Sequence, residues 1–372
     1  MNVTARKAWD LTRLIRHGGP ALCNVAVTNT CNAACAFCNF ARNKGLIGQP
    51  RWIDANRFGD ALDILYRRNI RYISLFGGEP MLHPRLAELV STTVACDMSP
   101  ALITNGWFLA EHLEQLAEAG LRMVFISIDA AAMSLHEANR GLNGLGERIR
   151  SAISRMAGLG MTAFASVTMS KLIDDYQALV PALRELGFAA VTFSYPQTAH
   201  ASTSLVWSDD SDLVRFTPQE LIKAFDAIEE VRRLFPVTNP RESIADMQRH
   251  LRGEPEHFAC YGGFKSFYMD WNFDLWRCET WQQPMCSVWD FEHTPLVRDG
   301  CTACIADCYR DSSVMLHSLV AAGDAIERLA QGRVLAALSA LATPGIFASV
   351  RAVADNMRVL SRVADLGSRR SS

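Results

Sequence analysis

Residues 31–38 read Cys31-Asn32-Ala33-Ala34-Cys35-Ala36-Phe37-Cys38. They follow an apolar run, Ala21 to Val27, that reads as a strand. Three cysteines within eight residues can put three thiolates on one loop, facing one point. Soft thiolates select zinc or iron–sulfur clusters over hard cations. A structural zinc site normally closes its fourth position with another cysteine or histidine. The nearest histidine on the amino-terminal side is His17, and none follows until His83. Three ligands from one loop therefore suit a four-iron cluster with one iron left open. A structural zinc loop, or three core cysteines, is the competing reading.

Outward from this loop the chain alternates short apolar strands with amphipathic helices. Helices are expected over about 54–68, 84–96, 109–119, 145–158 and 175–186, and strands over Tyr72 to Phe76, Ala101 to Thr104, Met123 to Ile128, Thr162 to Thr168 and Ala190 to Ser194. With the first strand this makes six strand–helix units, so the fold class is α/β with a parallel sheet and right-handed crossovers. Six units fall short of the eight of a closed barrel, in which the C-terminal strand ends carry the active site. Gly77-Gly78-Glu79-Pro80 stands at one such end, where two glycines let a backbone approach a ligand closely. Thr104, Asn105, Ser127, Asp129 and Ser194 lie at later strand ends, and Ser166 lies within the fifth strand. Solvated loop polars are the plainer account of each taken singly.

The Cys-x3-Cys-x2-Cys spacing, with Phe37 before the last cysteine and Gly77-Gly78-Glu79-Pro80 downstream, resembles the radical S-adenosylmethionine (radical SAM) enzymes. The resemblance implies a partial, open (β/α)6 TIM-like barrel. It implies that Cys31, Cys35 and Cys38 hold three irons of a [4Fe–4S] cluster, the fourth iron taking the amino and carboxylate groups of S-adenosylmethionine. Glu79, with Gly77 and Gly78, would meet the methionine amino group. Thr104, Asn105, Ser127, Asp129, Ser166 and Ser194 would contact ribose, carboxylate or adenine. His136 and Arg140-Gly141 look like the family's His-x3-Arg-Gly segment, with Arg140 facing the cofactor carboxylate. The implied reaction is reductive cleavage to methionine and a 5′-deoxyadenosyl radical, which abstracts hydrogen from a substrate or adds to it, with an electron donor of the flavodoxin or ferredoxin type.

After Ser194 the pattern changes. A helix is expected over 217–234, and a hairpin of Phe264 to Met269 and Leu275 to Thr280 around Trp271-Asn272-Phe273-Asp274. Residues from about 313 to 365 read as helical, interrupted at Thr343-Pro344-Gly345. The second cysteine set is Cys260, Cys278, Cys286, Cys301, Cys304 and Cys308, with metal-ligand spacing in Cys301-x2-Cys304-x3-Cys308. It resembles the auxiliary-cluster domains (SPASM, or the shorter twitch) that follow many radical SAM barrels, although the usual turn glycine is absent. One auxiliary [4Fe–4S] cluster is expected, on Cys260, Cys278, Cys301 and Cys304 with Cys308 next in line and Cys286 spare. A zinc site in the same residues is the alternative. Cys23 and Cys96 are read as core residues. The expected division is 1–20, an N-terminal amphipathic helix; 21–235, the barrel; 236–312, the auxiliary domain; and 313–372, a helical segment.

Composition bounds the function. The 372 residues are 49% hydrophobic and 20% charged, as a packed globular chain should be. A net charge of −2 gives no reason to expect nucleic acid. No secretory signal and no run of about 18 apolar residues is seen. Eleven cysteines then point to a reducing cytoplasm and metal ligation rather than disulfides. The tail spacing also resembles hopanoid-type enzymes that attach adenosyl to a polycyclic isoprenoid, so the expected substrate is a small metabolite or a lipid. Residues 333–370 carry six arginines against Asp355 and Asp365, and the N-terminal helix is basic too. Peripheral membrane contact is one expectation from this, and helices packed on the barrel the other. A peptide maturase working with a separate recognition protein, and a non-catalytic iron–sulfur or zinc protein, are the alternatives. Tyr195, His200, Trp207 and Tyr268 are candidates to line the pocket.

Overall fold

The computed structural model describes residues 12–42, 48–196, 202–204 and 211–370, the side chains of 362 and 364–370 excepted. The strands are β1 (Ala21–Ala26), β2 (Ile70–Phe76), β3 (Ser99–Thr104), β4 (Met123–Ile128), β5 (Thr162–Thr168), β6 (Ala190–Ser194), β7 (Ser266–Met269), β8 (Asp274–Trp276) and β9 (Cys286–Ser287). The helices of the first half are α1 (Asn39–Arg42), α2 (Ala55–Arg67), α3 (Leu86–Ala95), α4 (Leu109–Glu118), α5 (Met133–Arg140), α6 (Leu145–Met156) and α7 (Leu179–Leu186). Those of the second half are α8 (Pro218–Leu234), α9 (Arg241–Arg252), α10 (Asp307–Ala330), α11 (Val334–Leu341) and α12 (Pro344–Arg370).

All strands share one sheet in the order β6-β5-β4-β3-β2-β1-β7-β8-β9. β1 to β7 run parallel, and β8 and β9 are added antiparallel. The six expected strand–helix units are present as an open α/β sheet, and β7 lies beside β1 rather than in a detached hairpin. Helix starts and faces follow from sequence. Asp54 caps α2 by accepting from the Asn56 N–H, and α2 buries Phe58, Ala61, Leu62 and Leu65. Thr217 and Glu220 form a reciprocal capping box at α8, with Pro218 at its first turn.

Side chains alternate between the two sheet faces. Ile73, Leu102, Val124, Ala165 and Val191 join the main core. The opposite face carries Asn24, Ser74, Ser127, Ser166 and Thr192, with Ser127, Ser166 and Thr192 in one register row. The row beneath, Phe125, Phe164 and Ala190, is covered by Val359 and Val363 of α12. The free edge of β6 is closed by residues 236–239. Val191 N–H donates to the Pro236 carbonyl and Thr238 N–H to the Val191 carbonyl, both at 2.9 Å. The Asn239 amide pairs with both backbone groups of Phe193 at 2.7 and 2.9 Å.

Several expected boundaries shift. The hairpin is shorter, and its turn needs no glycine. Phe273 itself takes φ 67°, while the Asp270 carboxylate accepts from the Asn272 and Asp274 N–H groups. Helix α7 begins at Leu179 rather than 175. Helices α5 and α9 were not anticipated. Of the expected N-terminal helix, residues 12–16 are helical and the earlier part lies outside the described residues.

Candidate active site

The Cys31–Cys38 loop leaves the C-terminal end of β1 and is held from three sides. From β2, Gly78 N–H donates to the Thr28 carbonyl at 3.0 Å and Glu79 N–H to the Thr30 carbonyl at 2.7 Å. A β-carbon on Gly78 would lie 2.0 Å from the Thr30 oxygen, and one on Gly77 (φ 137°) 2.4 Å from the Thr28 oxygen. The close approach that these glycines serve is thus to the backbone beneath the cysteines. From β3, the Asn105 amide donates to Asn32 Oδ1 at 2.8 Å. From α5, the Arg140 carbonyl accepts from Ala34 N–H at 2.8 Å and Asn139 Oδ1 from Ala36 N–H at 3.2 Å.

Behind this contact lies a buried ion network. Asp129, fully buried, accepts from Arg140 at 2.6 Å and from the Asn139 amide at 2.8 Å, and its own N–H donates to His136 Nδ1. Burial alone would push the Asp129 carboxyl up; the Arg140 guanidinium and His136 together outweigh it and hold the carboxyl well below its ordinary range. Asp129 and Arg140, expected at the cofactor, thus find each other inside the protein, and together they brace the loop. Arg140 Nε has no partner among the described residues.

Glu79 is also buried, but its environment differs. One oxygen accepts from Thr104 Oγ1 (2.6 Å) and Met81 N–H (3.0 Å), the other from Asn105 N–H (2.8 Å). All three donors are neutral, and Glu79 has no ion-pair partner among the described residues. Burial accordingly pushes its carboxyl up. Such a site favours a cationic ligand, and an ammonium group would satisfy it. Thr104 and Asn105, expected at the cofactor, thus touch Glu79. Ser127 donates to the Thr104 carbonyl at 3.3 Å. Ser127, Ser166 and Ser194 all stand on the sheet face turned away from the main core.

The three thiols fit a cluster chemically. None of the eleven cysteines is in a disulfide. Burial pushes the Cys31 thiol up to about 12, with Glu79 and Cys35 adding to it, and the Cys35 thiol up to about 11 against the pull of Arg140. Cys38 is pushed up as well, by burial first and then by Cys35 and Cys31. Such buried thiols ionise only beside a cation, which suits metal ligation better than nucleophilic chemistry. Among the described residues no three Cys, His, Asp or Glu side chains converge as ligands to a single ion. A [4Fe–4S] cluster instead takes each thiolate on a different iron.

The second cysteine set gathers around the hairpin. Cys260, Ala306 and Tyr309 form a small core against which Cys278, Cys301, Cys304 and Cys308 pack. Cys260 N–H donates to the Cys301 carbonyl at 2.7 Å. Asp299, held by Arg277 at 2.6 Å, accepts from the Cys301 N–H. Burial pushes Cys304 up to about 12. Cys286 stands apart on β9, packed on the main core, and Cys23 lies fully buried in β1. Tyr195, expected to line the pocket, is instead a core residue, edge-on to Phe225 at 4.8 Å. Tyr268 packs on Phe76, with its hydroxyl 3.1 Å from Thr203. His200 and Trp207 lie outside the described residues. Sequence reasoning missed Asn32, Thr28, Thr30 and Asn139, which act through tertiary contacts. Only the position of Asn32 between two cysteines could have drawn notice.

An open α/β sheet with three thiols on the loop after its first strand, beside a Gly-Gly-Glu-Pro strand end, defines a cluster-binding partial barrel. Residues 25–186 match the Radical SAM superfamily. Domains of that superfamily bind a [4Fe–4S] cluster and S-adenosylmethionine. The mycofactocin maturase MftC of Mycobacterium ulcerans is 29% identical over 177 residues, 45% of this chain and 47% of the relative. The GTP 3′,8-cyclase of Chlorobaculum tepidum is 34% identical over 108 residues, 28% of this chain and 32% of the relative. The chain thus matches less than half the length of these relatives. Streptococcus suis SuiB bound to its precursor peptide SuiA shares the fold, with TM-score 0.54 at 12% identity over 76% of this chain and 66% of that one. So does anSMEcpe with bound AdoMet, with TM-score 0.52 at 12% identity over 84% and 99%.

Proposed function

We propose that the chain is a radical SAM enzyme with one auxiliary [4Fe–4S] cluster, acting on a small-molecule or lipid substrate. The observation that carries this reading is the braced Cys31–Cys38 loop beside a buried Glu79 whose partners are all neutral. Cys31, Cys35 and Cys38 hold the first cluster. Glu79, fixed by Thr104 and Asn105, accepts from the amino group of S-adenosylmethionine, and Arg140 Nε is available to its carboxylate. Ser127, Ser166 and Ser194 offer hydroxyls to its ribose and adenine. When bound, the cluster and S-adenosylmethionine would supply one-electron reductive cleavage to a 5′-deoxyadenosyl radical, which would abstract hydrogen from the substrate or add to it. The protein orients the substrate and excludes water. Cys260, Cys278, Cys301 and Cys304, with Cys308 adjacent, hold the auxiliary cluster. A flavodoxin- or ferredoxin-type protein supplies the electron, and free thiols throughout suit the cytoplasm.

A maturase, a GTP cyclase and a heme synthase match 45%, 28% and 44% of this chain. A peptide or protein maturase working with a separate recognition protein is the second reading, favoured by the likeness to the maturase MftC. The test is anaerobic iron and sulfide quantification with Mössbauer spectra, on the reconstituted protein and a Cys31/Cys35/Cys38→Ala variant. About eight irons falling to about four is the expected result. About four falling to none, with zinc present, would sink the auxiliary cluster. No iron in either protein would sink the radical reading.

A further inference from the structure

Helices α11 and α12 run back along α10 in sequence, as the contacts Arg328–Ala336, Ser318–Ser349 and Met315–Asn356 show. Their outward face is strongly apolar. Leu335 is 83% exposed, Phe347 70% and Met357 62%, with Leu338 and Val350 exposed beside them. Phe347, Val350, Ala354 and Met357 recur at three- and four-residue spacing, so they form one stripe of α12. A surface of this extent marks an interaction site rather than ordinary surface.

The charge around the stripe says what covers it. Arg351 and Arg358 follow Phe347 and Ala354 by four residues; their side chains are 72% and 75% exposed, and each makes a surface ion pair, with Glu242 at 3.6 Å and Asp355 at 3.1 Å, that an anionic headgroup can replace. Residues 331–372 hold six arginines against two aspartates, in a chain whose net charge is −2. Among the described residues no single helix is long and apolar enough to cross a membrane, and α11 meets α12 at a 52° bend. An apolar stripe edged by arginines on a bent helix pair is the composition of a surface that lies in the headgroup region. A second copy of this chain would bring like charges together, whereas an anionic bilayer neutralises them. We propose that the exposed face of α11 and α12 docks on an anionic lipid surface. This face is distinct from the thiol loop, and the proposal holds whichever substrate the barrel takes.

The test is flotation of the intact, anaerobically reconstituted protein with phosphatidylcholine vesicles, with and without phosphatidylglycerol. The protein is expected to float with the anionic vesicles alone and to be released by high salt. Arg351→Glu with Arg358→Glu should weaken partitioning roughly tenfold or more. Leu335→Asp with Phe347→Asp should abolish it. Leu335 and Phe347 are exposed, so iron content and thermal melting should stay unchanged in their double variant, and this separates docking from misfolding; the arginine variant also breaks the ion pairs to Glu242 and Asp355 and is read by partitioning alone. No flotation with anionic vesicles overturns the proposal, as does equal flotation with both vesicle types. A dimer that Leu335→Asp with Phe347→Asp dissolves, without vesicle binding, also overturns it and assigns the face to a second copy.

Discussion

Asp129 carries Arg140 on one oxygen and Asn139 on the other, and both neighbours also hold the backbone of the cysteine loop. Because its folded carboxyl is held below the ordinary value, its contribution to stability is present above about pH 4. It is lost only as pH falls further, through the depressed folded value, so the network should survive mild acid. Asp129→Asn would instead leave a buried guanidinium uncompensated at every pH, a loss of about 3–5 kcal/mol. We expect a lower melting temperature in the apoprotein and reduced iron per chain after reconstitution. Unchanged melting with full iron would remove the brace from the account. The sequence made Asp129 and Arg140 visible as chemistry-bearing residues. Their mutual pairing was not legible, because an eleven-residue separation says nothing of which side chains meet.

Elements were legible in proportion to the apolar periodicity they carry. Strands β4, β5 and β6 and helix α2 bury aliphatic residues at regular spacing, and their bounds match expectation within a residue. Helix α5 buries only His136 and Arg140, and α9 buries Ser243 and Asp246 beside Ile244 and Met247. Their inward faces are largely polar, so no apolar stripe announced them. Charge satisfies those faces instead: Asp246 meets the fully buried Arg310. A related contact joins α10 to the β6 edge, where Asp311 accepts from Ser243 Oγ at 2.5 Å and from Asn239 at 2.8 Å. Burial pushes the Asp311 carboxyl up to about 6. With a folded value above the unfolded one, near 4, ionising it costs stability as pH rises from about 4 to about 6, and the full cost persists above. Asp311→Asn keeps the shape without the charge. Because Asp311 is only partly buried, the variant should gain about 2 kcal/mol or less at pH 7.5. That gain should shrink by about half at pH 5. Denaturant titration at the two pH values checks this, and a variant equally destabilised at both would refute it.

At the scale of the whole molecule, the cysteine-rich segment is built into the sheet. Strand β7 takes four register positions on β1, and β8 and β9 extend the same sheet. Lys265, next to β7, donates to the carbonyls of His17 (2.5 Å) and Gly19 (2.8 Å) ahead of β1. At the far end of α2, Arg67 pairs with Glu292, and Arg68 donates to the Glu292 and Thr294 carbonyls. Sequence could not show this. The hairpin signature is local, whereas parallel pairing of β7 with β1 joins residues more than two hundred apart. Such coupling makes the barrel and the second cysteine set one cooperative unit. Anaerobic calorimetry of the reconstituted protein should therefore show a single unfolding transition. Removing the second set as ligands, by Cys260→Ser with Cys304→Ser, should lower that transition as a whole, because metal affinity adds to the folding free energy of every element it couples. Each kcal/mol lost should move the midpoint by about 2 °C. Cys286→Ser, on β9 and apart from the cluster of five, should leave it unmoved. Two separate transitions, with only the lower responding to the double variant, would mean that the shared strand transmits little and that the segment folds on its own.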